Sequence, residues 1–191
     1  MKLLRWLRAT LTTAWVSVFQ PRGSMPRPEI IPQPRGTPWC GPAAAVAVVR
    51  ALTGRTFDLE EAKRDLLGTW LQDQTSVEAL TEWLARRGTR ASWSMVPVGG
   101  AYDACRQALR GGAYAIPLVY GDGGGGPWTH FFIAWAVAPD GALMIADSID
   151  RPGRGGHYFP LSERDFEDRW SARVGRFGPL DVTPVIIVRR A

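Results

Sequence analysis

The chain has 191 residues, 46% of them hydrophobic and 21% charged. That suits one globular domain with a proper core and a short appendage, and excludes a disordered segment. Its net charge of +5 rests on scattered arginines, with small clusters at Arg86-Arg87-Arg90 and Arg189-Arg190 but no aromatic-interleaved basic stripe, so no nucleic-acid partner is expected.

The first twenty residues stand apart. Leu3, Leu4, Leu7, Leu11, Trp15 and Val18 recur at spacings of three and four, with Lys2, Arg5 and Arg8 on the other side. Two readings compete: an amphipathic helix that lies on a membrane surface or docks on a partner protein, and a signal sequence. No small-x-small cleavage site follows Phe19, and the stretch is short and threonine-rich for a membrane span. The docking helix is preferred, and with it a cytoplasmic, particle-associated or membrane-peripheral location over cleavage and secretion. Prolines at 21, 26, 28, 32, 34 and 38 then make residues 21–38 an extended arm, which contains Gln33.

At Trp39-Cys40-Gly41-Pro42 the pattern changes to a dense apolar helix running from Ala43 to Leu52, with Gly54 as its stop. Cys40 is presented at the N-terminal end of this buried helix, where the dipole favours a nucleophilic thiolate. The competing reading is that of most free cysteines, a small buried hydrophobe. Asp58-Leu59-Glu60-Glu61 opens a helix to about Leu67. Thr75-Ser76-Val77-Glu78 opens another, with Leu80, Trp83 and Leu84 on its apolar face and Gly88 as its stop. Ala91 to Val98 alternates as a short strand. Tyr102 to Leu109 reads as a helix ended by Gly111-Gly112, with Cys105 inside it as a packing residue.

The second half is β-rich. Ala113 to Tyr120 is a strand, and the glycine loop 121–126 lacks the Gly-Lys-Ser/Thr ending of a phosphate-binding loop. Thr129 to Ala138 and Ala142 to Ile149 form a hairpin about Pro139-Asp140-Gly141. A helix from Leu161-Ser162-Glu163 to about Trp170 and a last strand, Val185 to Val188, complete an α+β order: helices first, antiparallel strands later.

The hairpin carries two polar residues of interest. With a four-residue loop, Ala138 to Gly141, Asp147 lies opposite Phe132 and diagonal to His130, on one face. A three-residue loop puts it on the other face. A nucleophilic cysteine needs a base, and the base needs a group that fixes its tautomer; Cys40, His130 and Asp147 can fill those roles. The Cys40 N–H and the Gln33 amide can supply donors to a developing oxyanion. His157, in a loop after Arg154-Gly155-Gly156, reads as a surface residue. Two cysteines and two histidines at these separations make neither a disulfide framework nor a structural zinc site, and no cofactor is implied.

Gln33, Trp39-Cys40-Gly41-Pro42-Ala43, Thr129-His130-Phe131-Phe132-Ile133-Ala134-Trp135 and Ile145-Ala146-Asp147-Ser148 together resemble the papain-like cysteine peptidases that process bacteriocin leaders, the double-glycine type. The segment Leu161 to Trp170 is similar to the one that closes those domains, and the resemblance covers about residues 30–190. It implies a papain-like α+β fold, with a helical half carrying Cys40 and a sheet half carrying His130 and Asp147. The roles it implies are nucleophile for Cys40, general base and acid for His130, orienter for Asp147 and oxyanion donor for Gln33. The Gln33-to-Cys40 spacing is one residue longer than that pattern, and the fused transporter domains are absent from this sequence. The domain expected is 30–191, preceded by the helix 1–20 and the arm 21–38. The activity expected is hydrolysis of peptide or amide bonds through a thioester, on a peptide, protein or peptidoglycan-peptide substrate. A non-catalytic binding subunit of a larger assembly and a transglutaminase-type acyl transferase are the alternatives.

Overall fold

The structure, a computed structural model, describes residues 25–34, 36–69, 73–120, 129–151, 153, 156–171 and 182–191. The expected helix at 1–20 and the glycine loop lie outside them. Five helices are described: α1 (Cys40–Thr53), α2 (Leu59–Leu66), α3 (Val77–Arg86), α4 (Val98–Arg110) and α5 (Glu163–Ser171). The strands are β1 (Thr89–Pro97), β2 (Tyr114–Tyr120), β3 (Thr129–Phe131), β4 (Ile133–Val137), β5 (Leu143–Ala146), β6 (Tyr158–Leu161) and β7 (Val182–Arg190). They form one antiparallel sheet in the order β1-β7-β2-β4-β5-β6, with β3 also paired to β2.

Local chemistry accounts for the helix ends. Gly54 closes α1 in the left-handed region, at φ 71°, where a side chain would be strained. Asp58 caps α2 through the Glu60 N–H. Ser76, rather than Thr75, caps α3 by accepting from the Ala79 N–H. Several elements run further than their sequence suggests, the last strand among them, at Val182–Arg190 against the Val185 to Val188 expected. α4 begins at Val98, because Gly99 and Gly100 fall in its first turn, where their weak helix preference matters least. β1 spans nine residues as an edge strand, alternately half-buried and exposed over much of its length.

α1 is buried along almost its whole length and packs on α2, α3, β3 and β7. α4 packs on β2, β4 and β7, and Phe166 of α5 meets Tyr102 and Phe132 edge-on at 5.5 and 6.3 Å. The helices from 40 to 86 form one half and the sheet the other, so the start of α1 faces β3.

The hairpin departs from the expected geometry in a way that matters for the site. Its turn is five residues long, since Val137 pairs with Leu143, where loops of three and of four residues were weighed. Continued without interruption, that ladder would bring Asp147 opposite Ile133, on the face away from His130. A β-bulge at Trp135 intervenes: Ala136 pairs with Met144 but Ala134 pairs with Ile145. Beyond it, Ile133 pairs with Ala146, so the next step brings Phe132 opposite Asp147. The register is thus the one a four-residue loop would give, reached through a longer turn corrected by a bulge.

Candidate active site

Three elements meet beside the start of α1. Cys40 is its first residue, 8% exposed, held from behind by Gly41 and Pro42. Gly41 is required by contact: a Cβ there would lie 2.7 Å from both Cβ and Oγ1 of the buried Thr75. Pro42 has no N–H and the Ala43 N–H closes on Trp39 O, so the Cys40 and Gly41 N–H groups are the donors at the helix start. The same loop as Thr75 reaches the sheet, where Thr129 Oγ1 donates to Gln74 Oε1 at 3.2 Å, next to His130.

His130 is buried on β3. Its Nε2 stands 2.7 Å from Asp147 Oδ1, and Cys40 is the other side chain that acts on the imidazole. A carboxylate only accepts, so Nε2 carries the hydrogen, which leaves Nδ1 as the nitrogen that can take up a proton. Burial pushes the imidazole down, but the charge and hydrogen bond of Asp147, with the Cys40 contact, outweigh it and raise His130 to about 9.

Asp147 is wholly buried just after β5. Oδ1 also accepts from the Ile149 N–H at 2.9 Å, and Oδ2 accepts from Arg151 Nε at 2.6 Å. Burial alone would raise this carboxyl; the cationic His130 and Arg151 pull it down to about 2. His157 is not the surface residue expected: it is half-buried, and its ring Nδ1–H donates to the Asp147 carbonyl at 2.8 Å, while its own carbonyl accepts from the Asp147 N–H. It braces the Asp147 backbone.

Gln33 is buried and oriented. Its Nε2 donates to Thr37 O at 2.9 Å, its Oε1 accepts from Ser148 Oγ at 2.6 Å, and its own N–H bonds to Ser148 O. Between Gln33 and Cys40, Gly36 stands at φ 78° and Thr37 donates to Pro34 O through both its N–H and its hydroxyl. The dipeptide Asp147-Ser148 thus holds His130 with one side chain and Gln33 with the next. Ser148, Arg151, Thr75 and Gln74 were not singled out by sequence, since each is a common surface type whose burial only tertiary contacts reveal. Cys105 is the packing residue expected, fully buried with its thiol pushed up to about 12. Among the described residues, no three His, Cys, Asp or Glu side chains cluster to hold a metal ion, and no helix is long and apolar enough to cross a membrane.

No family model and no curated protein sequence matches the chain. A solved structure does: a double glycine motif protease from an AMS/PCAT transporter, in complex with the leader peptide, with a TM-score of 0.57 over 89% of this chain and 96% of that one. The fold is papain-like. At 13% identity the likeness is one of architecture: helices in the N-terminal half, antiparallel sheet in the C-terminal half.

Proposed function

We propose that the protein is a papain-like cysteine peptidase of the double-glycine type. The observation that carries this reading is the buried His130–Asp147 hydrogen bond of 2.7 Å, with Cys40, at the start of α1, as the other side chain acting on the imidazole. Cys40 Sγ attacks the substrate carbonyl carbon, and the charge that gathers on oxygen is met by the Cys40 N–H and the second Nε2–H of Gln33. His130, having taken the thiol proton, returns it from Nδ1 to the departing amine and leaves a thioester. Water then adds to the thioester as His130 takes its proton, and collapse frees the acid and the thiol. Asp147 holds Nε2–H throughout, which fixes the tautomer and steadies the imidazolium. The substrate is an extended peptide, a reading supported by the fold neighbour's capture with a leader peptide.

The test is the pH dependence of Cys40 alkylation, with Cys105 as the internal control. An ordinary thiol reacts as it titrates near pH ~8.5, whereas a His-paired thiolate reacts well below that. Rapid alkylation of Cys40 at acidic pH, lost in His130→Ala but kept in His157→Ala, supports the peptidase. An ordinary or inert Cys40 overturns it and leaves a binding module with the same fold.

A further inference from the structure

Arg151 is the second charged partner of the Asp147 carboxylate, and the reaction just described makes no use of it. Its side chain is 10% exposed and its Nε lies 2.6 Å from Oδ2, the carboxylate oxygen that His130 does not use. The carboxylate is therefore shared between two cations whenever His130 is protonated. One of these, the guanidinium, never gives up its proton.

We propose that Arg151 is a positioning residue for this site: by holding Oδ2 it draws the Asp147 charge away from His130 and sets the pH at which the imidazole gives up its proton. The proposal rests on the peptidase reading. A buried carboxylate opposed only by the imidazolium would hold it so firmly that it would be a poor acid toward the leaving amine. With Oδ2 committed to a permanent cation, that attraction is tempered and the carboxylate plane is fixed from both sides. Even so tempered, Asp147 keeps His130 at about 9.

Among the described residues, the other charged and titratable groups around the pair leave Arg151 as the one that can act this way. Cys40, from α1, acts on the imidazole and not on the carboxylate. His157, at the edge of β6, bonds the Asp147 carbonyl and not its carboxylate. Asp150 is exposed and lies toward Gly156.

Two measurements test this. The first follows the His130 imidazole by NMR titration in a Cys40→Ala background, with and without Arg151→Gln. The second takes the Cys40 alkylation profile in the full chain, with and without the same change. Removing a charge at this range should move the His130 titration, and the alkaline limb of alkylation, upward by about one pH unit. A change that only loosened the fold would lower the rate and leave both positions where they were. An unmoved or lowered titration in a folded Arg151→Gln protein overturns the proposal. If Arg151→Gln loses its native circular dichroism, Arg151→Lys decides. It keeps the charge without the fork, so its His130 titration must stay within a few tenths of a unit of the wild-type value, and a full-unit rise sinks the idea. An activated Cys40 with an unmoved titration refutes Arg151's role alone. An ordinary Cys40 profile in the wild type refutes the peptidase and, with it, any role for Arg151 in its reaction.

Discussion

At Asp147, one buried carboxylate meets a histidine, an arginine and a backbone N–H, so its ionisation is tied to stability as well as to chemistry. His130 is raised from 6.5 to about 9, so its contribution is full below pH 6.5 and is lost as pH rises through about 9. Asp147 is lowered from 3.8 to about 2, so its contribution is present above 3.8 and is lost as pH falls through about 2. The two overlap fully between those ordinary values. The gap in melting temperature between wild type and His130→Ala should therefore be widest near pH 5 and shrink toward pH 9. A gap that stays constant from pH 5 to 10 would contradict the coupling. The roles proposed for Cys40 and His130 belong to this scale too, since alkylation reads one sulfur and its dependence on one ring.

At the scale of elements, α1 can deliver Cys40 only because its second residue has no side chain. Gly41→Ala forces a methyl into Thr75, whose Cβ and Oγ1 both stand 2.7 Å from the new atom. Neither is the far end of a flexible side chain, so the Asp73–Ser76 loop or the helix start must move. The expected loss is about 1–3 kcal/mol in denaturant unfolding, the usual range for overpacking, with a fall in Cys40 reactivity. Unchanged stability would mean that the loop yields freely. Much of this level was readable beforehand, because Asp58, Ser76, Gly54 and Gly88 act through local rules that need no tertiary context. Gly99-Gly100 hid the start of α4, since glycine argues against a helix without saying which turn it occupies. The longer hairpin turn escaped for a related reason: Pro139-Asp140-Gly141 announces a turn but not its length, and nothing in Ala134-Trp135-Ala136 marks a bulge. Arg151 and Ser148 stayed hidden because a polar residue's burial is decided by what folds over it.

Across the whole molecule, the arm before Cys40 laces the two halves together. Tyr114 of β2 donates to Pro26 O, Glu29 pairs with Arg50 of α1 at 3.1 Å, and Gln33 bonds Ser148. Tyr158 of β6 serves it twice, donating to Pro28 O at 2.9 Å and accepting from the Ile30 N–H at 3.2 Å. Tyr158→Phe leaves both backbone groups without that hydroxyl, at a cost of about 1–2 kcal/mol by chemical denaturation. Because Gln33 lies three residues beyond Ile30, Cys40 reactivity should fall as well. A variant as stable as wild type would show that the arm is held without this tyrosine.

The bulge at Trp135 also bears on how such a domain can change over generations. Because side chains alternate, a hairpin that gains or loses one turn residue throws its far end out of phase. One unpaired residue in the strand restores that phase without touching the tip. The pairing that matters for His130 and Asp147 is thus the parity of the whole hairpin, and turn length and bulge are two digits of one sum. A homologue with a four-residue turn here should have lost the bulge, and a lone insertion or deletion at the tip should be inherited only with its compensating change.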